Sequence, residues 1–132
     1  MVVELISVGT ELLLGNIVNT NAAYLSEKCA ELGMSLYYEV TVGDNEERLL
    51  DTVTTAINRS DVIIFTGGLG PTQDDLTKET VAKALNLPIV EDSHTRERIE
   101  NHFKRSNYKV ITENNWEQAR IIEGCKVVDN QN

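Results

Sequence analysis

Hydrophobic positions along the chain fall into two rhythms, one suited to strands and one to helices. Val2 to Val8 is an apolar stretch carrying Glu4, and it runs into Gly9, Thr10 and Glu11. That predicts a strand followed by a turn. From Asn21 onward Ala22, Leu25, Cys29 and Leu32 recur at helical spacing, and Gly33 sits where a C-terminal cap belongs. Leu36, Tyr38, Val40 and Val42 then alternate with Tyr37, Glu39 and Thr41, the pattern of a partly buried strand at a sheet edge. Asp44 or Asn45 can cap the next helix, whose apolar stripe is Leu49, Leu50, Val53 and Ile57. Asp61 to Thr66 encloses the continuous run Val62, Ile63, Ile64, Phe65, which predicts a central parallel strand covered on both faces. A helix over about Leu76 to Leu85 follows, then a short strand at Ile89 and Val90, and then a helix capped by Ser93 with Ile99 and Phe103 inward. Near the end, Asn114 to Ala119 reads as a helical turn and Cys125 to Val128 as the start of a last strand.

Strands alternating with helices imply right-handed crossovers and a doubly wound α/β sheet with mostly parallel strands. At 132 residues and 41% hydrophobic content, residues 1–132 are expected to form one domain with an ordinary core. The formal charge of −9 opposes a nucleic-acid groove, for which clustered Lys and Arg are needed; Lys104 and Arg105 are the nearest approach. An acidic surface likewise repels anionic membrane. The apolar run Val62 to Phe65 falls far short of the roughly 20 residues a membrane helix requires. The expected location is therefore the cytoplasm, with Cys29 and Cys125 reduced and buried. His94 and His102 lie in the helix begun by Ser93 and are read as surface or packing residues.

In open parallel sheets ligands bind outside the carboxyl ends of the strands. The residues placed there are Gly9, Thr10 and Glu11, then Gly43, Asp44 and Asn45, then Thr66 to Asp75. Gly67, Gly68 and Gly70 let a ligand approach the backbone and can present amide hydrogens to phosphate ahead of a helix. The spacing lacks the Gly-Lys-Ser/Thr of a P-loop and the third glycine of a dinucleotide fingerprint. The same glycines also serve as a tight strand-to-helix connection without any ligand. Glu11, Asp44, Asp74 and Asp75 would repel phosphate unless a divalent ion sat between, as magnesium commonly does through one or two carboxylates plus the ligand. Such an ion can polarise a phosphoryl group and acidify water. Read singly, Asp44 is a helix cap, Asp74 and Asp75 a helix-start pair, and Glu11 a turn residue.

The segment Thr66-Gly67-Gly68-Leu69-Gly70-Pro71-Thr72-Gln73-Asp74-Asp75-Leu76-Thr77-Lys78-Glu79 resembles the CinA family, and more widely the molybdopterin-binding MoaB/MogA/MoeA-like domains. Ile6 to Asn21, Val42 to Asn45, and Asn114-Asn115 with Gln118-Ala119 resemble the same family. The resemblance implies a three-layer α/β/α fold, a homo-oligomer, and Asp44 and Asp75 as paired catalytic and metal-holding aspartates. It further implies divalent-metal-dependent hydrolysis of ADP-ribose to AMP and ribose phosphate, with magnesium, manganese or cobalt as the ion. Substrate contacts would come from Gly9, Thr10, Glu11, Gly67, Gly68, Gly70, Pro71, Thr72, Asp74 and Asn115. The family carries a Gly-Thr-Ala-Pro-Gly segment where this sequence ends at Asn132, so the domain is expected to be shortened at its C-terminus relative to the family. Two other functions stay open: a module holding a nucleotide or pterin without turnover, and an assembly domain of a longer protein.

Overall fold

The computed structural model describes residues 1–70, 72–73, 75–105 and 116–128. In chain order the elements are β1 (Val2–Val8), α1 (Thr10–Leu13), α2 (Thr20–Glu31), β2 (Ser35–Val42), α3 (Glu46–Arg59), β3 (Val62–Thr66), α4 (Thr77–Leu85), β4 (Ile89–Glu91), α5 (Ser93–Arg105) and β5 (Arg120–Ile122). Three parallel strands form one sheet in the order β2-β1-β3, and β4 pairs antiparallel with β5 in a second. The expected mixed α/β fold with a parallel sheet is present.

β1 takes the centre because both its faces are covered: Val3 to Val8 are all buried. Ile6 and Val8 point toward α3 and α4, packing with Val42, Leu49, Val53 and Ala56, and Ile63 and Phe65 close that core from β3. Ser7, on the opposite face, meets Asn19 at the start of α2, where Asn19 Nδ2 donates to Ser7 Oγ at 2.8 Å. Helices thus lie on both faces of the sheet, an α/β/α sandwich.

Glu4 is the apparent misfit in this core, a carboxylate with no exposure. It is fully engaged. Arg59 donates to both its oxygens at 2.9 and 2.8 Å, and the Ser60 hydroxyl donates at 2.9 Å. The Arg59 guanidinium also lies 3.7 Å from the Tyr38 ring centroid, so one side chain ties β1, β2 and the end of α3 together. Hydrogen bonding by Arg59 holds the Glu4 carboxyl below its ordinary range, against the opposing effect of burial.

Several expectations are corrected. β3 pairs only with β1 among the described residues and is half-buried throughout, so it is not central there. Asp44 does not cap α3; Asn45 does, accepting from Arg48 N at 3.0 Å. Ser93 is the first residue of α5, and its cap is Asp92, which accepts from Thr95 N at 3.0 Å. Leu32 leaves the α2 stripe at 75% exposure because it lies past the last helical turn. Ile57 keeps 39% exposure on the open side of α3. The last described strand is β5, and Cys125 to Val128 forms none. Cys29 is buried as expected, whereas Cys125 is exposed.

Candidate functional site

Parallel strands bring their carboxyl ends to one rim, and the order β2-β1-β3 fixes which loops are neighbours there. Gly9 N donates to Val42 O at 2.9 Å, so the exit of β1 is tied to the exit of β2. Thr10 and Asp44 then bond reciprocally: Asp44 N donates to Thr10 Oγ1 at 3.0 Å, and Thr10 N to Asp44 Oδ2 at 3.3 Å. This is why Asp44 is unavailable as the α3 cap. It serves the first turn of the short helix α1 instead, and a Cβ on Gly43 would stand 3.3 Å from Thr10 Oγ1.

The loop after β3 is built on close backbone approach. Gly67 has φ +85°, and a Cβ there would lie 2.1 Å from Val8 O. Gly68 has φ +65°, and its Cβ would lie 2.2 Å from Thr77 Oγ1. Both glycines are therefore required by the fold of the loop itself, whatever the loop binds. Thr77, buried at the start of α4, donates from Oγ1 to Gly67 O at 2.8 Å and from N to Gly68 O at 3.1 Å. Further along, Asp75 Oδ2 accepts from Thr72 N at 3.1 Å and from Thr72 Oγ1 at 2.5 Å. The Thr72 hydroxyl, helped by the Thr72 and Gly70 amides, lowers the Asp75 pKa despite partial burial, so this carboxylate is charged near neutrality.

The expected residues fall as follows. Gly9, Thr10, Glu11, Asp44, Gly67, Gly68, Gly70, Thr72 and Asp75 all sit on the same rim, in the segments that directly follow β1, β2 and β3, with Thr10 and Glu11 in the short helix α1. Gly9 is buried, and the Glu11 carboxylate folds over it, its Oε1 2.6 Å from where a Cβ would be. Pro71, Asp74 and Asn115 lie outside the described residues. Asp44 follows β2 and Asp75 follows β3 with β1 between, so the strand exits that lead to them are separated by about two strand spacings, roughly 10 Å. Lys78, the cation next to the loop in sequence, is directed elsewhere and donates to Glu117 O at 2.9 Å.

Two features were not singled out from the sequence. Thr77 buttresses the glycine loop, and its signal was a small hydroxyl residue at a helix start directly after that loop. The other is a hollow of about 140 Å³ between Gly67 and the start of α2, whose polar lining residues are Glu11, Asn19, Thr20, Asn21 and Thr66. Its floor is ordered by Asn19, which bonds Ser7 and also caps α2 by accepting from Ala22 N at 3.1 Å.

For a metal, the donors present suit one binding mode only. Among the described residues no group of three or more His, Cys, Asp or Glu side chains is placed to cage an ion. Asp44 and Asp75 could supply one or two carboxylate oxygens to a magnesium-type ion whose other ligands come from water and substrate phosphate. The rim can thus offer backbone amides, hydroxyls and separated carboxylates to a polar anionic ligand.

Comparison with known proteins gives a consistent result. Residues 4–128 match the family model described as a probable molybdopterin binding domain. A competence-damage inducible protein of Caldanaerobacter subterraneus subsp. tengcongensis is 57% identical over 129 residues, covering 98% of this chain and 31% of that protein. One from Streptococcus pyogenes serotype M5 is 52% identical over 131 residues, again covering 31% of its length. The chain thus spans about a third of the length of the curated relatives it matches. The crystal structure of CinA from Thermoplasma acidophilum, a protein of unknown function, superposes with a TM-score of 0.89 at 28% identity, over 99% of this chain and 76% of that one. MoaB from Thermus thermophilus shares the fold at a TM-score of 0.59 and 16% identity, over 92% of this chain and 78% of its own. This chain belongs to the family of probable molybdopterin binding domains.

Proposed function

We propose that this domain binds ADP-ribose with a divalent ion and hydrolyses its phosphoanhydride, releasing AMP and ribose 5-phosphate. The observation that carries the reading is the gathering of Asp44, Asp75 and the Gly67 to Thr72 loop at one end of the β2-β1-β3 sheet. The loop would hold the diphosphate, with Thr72 and Thr10 fixing the two aspartates. One of Asp44 and Asp75 would hold magnesium, manganese or cobalt directly and the other through the ion's water shell, and Gly9 and Glu11 would complete the crevice. A bound ion supplies charge neutralisation of the phosphoryl oxygens and a more acidic water. Water oxygen bonds to one phosphorus, the bridging oxygen leaves with the other phosphate, and a rim carboxylate takes the proton. Incubation with ADP-ribose and each ion, followed by chromatography, should show AMP; a folded protein that releases none, also in the longer form of its relatives, removes the hydrolase reading.

A second reading is binding of a pterin or nucleotide without turnover. It is favoured by the family description and by both aspartates already being hydrogen-bonded inside the protein, Asp44 to Thr10 across the rim and Asp75 to Thr72 in its own loop. Calorimetry would then give binding without product, weakened by Asp75→Ala. A homo-oligomer and a cytoplasmic location belong to the proposal, and an assembly domain of a longer protein is the remaining alternative. No described helix is long and apolar enough to cross a membrane.

A further inference from the structure

Residues 116–119, just before β5, join several elements at one point. The Arg96 guanidinium of α5 lies 4.3 Å from the Trp116 ring centroid, and Arg96 also pairs with Glu91 of β4. Arg120 of β5 donates to both Glu117 carboxylate oxygens at 3.2 Å. Ala119 is fully buried, and its carbonyl accepts at 2.7 Å from the amide of Asp92, between β4 and α5. The Glu117 carbonyl accepts at 2.9 Å from the ammonium of Lys78, in the first turn of α4. Lys78 follows Thr77, whose hydroxyl and amide hold the carbonyls of Gly67 and Gly68. The first turn of α4 is thus fastened to the glycine loop by one residue and to the second sheet by the next. α5 has no buried residue, so the hydrophobic term that locks α3 and α4 in place is weak there, and directional polar contacts carry more of its placement.

We propose that Lys78 is a strap coupling α5 and the β4–β5 pair to the glycine loop: a displacement at α5 passes through Trp116 and Glu117 to Lys78, and through Thr77 to the carbonyls of Gly67 and Gly68. Order in the loop then depends on the position of the second sheet, and anything that engages α5 alters the loop from a distance. Lys78 is a positioning residue that acts through Thr77. The coupling concerns the order of the loop whatever the loop binds, so its failure and the failure of the hydrolase reading are separate results.

Amide hydrogen exchange on the whole chain tests the strap. The Thr77 amide, which donates to Gly68 O, and the Asp75 amide, which donates to Thr72 O, both at 3.1 Å, report opening of the loop. Lys78→Met should speed their exchange by at least about threefold, and Arg96→Met, which takes the guanidinium off the Trp116 ring, by about twofold. In the Lys78→Met background Arg96→Met should add nothing, because the path is already cut. The amides of Ile6 and Val53, deep in the core, should be unchanged in every variant, which separates coupling from general loss of stability. A reciprocal measurement uses Trp116, the sole tryptophan of the chain. Thr77→Val should shift its fluorescence emission when Lys78 is present and not in the Lys78→Met background. Loop rates unmoved by Arg96→Met, effects of the two substitutions that add, equal acceleration of the core amides, or an emission shift that is absent with Lys78 or persists without it would each overturn the coupling.

Discussion

A single added methyl group tests whether the glycine loop is held by the sheet itself. In Gly67→Ala the new Cβ would stand 2.1 Å from Val8 O at a residue with φ +85°. Two costs follow. The left-handed backbone costs about 1–2 kcal/mol for a residue with a side chain, partly offset by the lower entropy of unfolded alanine, about 0.4–1 kcal/mol. The collision is with a backbone oxygen of β1 that cannot rotate away, so the loop or the strand end must shift, at an overpacking cost of about 1–3 kcal/mol. Gly15 provides the control, because it has φ +74° and no atom within 4 Å of its Cβ position. Gly15→Ala should therefore lose only about 1 kcal/mol and Gly67→Ala about 2–4 kcal/mol, a gap of roughly 10 °C in melting temperature at this chain length. Urea titrations followed by circular dichroism measure both. If the two variants unfold at the same denaturant concentration, the close approach of the loop to Val8 does not exist, and the site built on it falls as well.

Acid stability should report the Glu4 clamp. Glu4, Asp75 and Asp92 are all held below their ordinary values, by Arg59, Thr72 and Thr95 respectively, so as pH falls the unfolded chain takes up protons before the folded one. Stability should be level above about pH 5 and decline as pH drops through the folded-state values, and Glu4→Gln should flatten that decline in pH-dependent urea curves. Arg59→Met should be among the most damaging substitutions at neutral pH, since it strands a buried carboxylate; an unfolding midpoint unchanged from wild type would refute the burial of that charge.

The strands and their loops were legible because two kinds of signal coincided. The apolar runs at Val2 to Val8 and Val62 to Phe65 mark strands, and the glycines and acids after them mark exits toward one rim. Strand order was legible only at β2, whose alternating pattern places it at the edge where it lies in the described sheet. The run Val62 to Phe65 is apolar enough for a central strand, yet β1, interrupted by Glu4 and Ser7, occupies the middle of the described sheet. Those two polar residues read as weakening β1, but Arg59 and Asn19 arrive from distant helices to satisfy them. Local spacing carries no trace of such partners. The same limit applies at Asp44, which sequence alone makes as good a cap as Asn45, until Thr10 across the rim claims it. β5 escaped notice because Arg120 to Ile122 has only two apolar residues, and its pairing with β4 is what defines it. Thr77 shows the converse, a site-shaping residue whose polar side chain is fully used inside the protein.

Manganese relaxation in nuclear magnetic resonance tests the account where it is most exposed. With ADP-ribose present, substoichiometric Mn²⁺ should broaden the amides of residues 43–45, 67–70 and 72 together, and Asp44→Asn with Asp75→Asn should abolish the effect while the rest of the spectrum stays unchanged. Broadening confined to one of these loops, or centred instead on Glu91 and Asp92, would contradict a shared metal and diphosphate site at the rim.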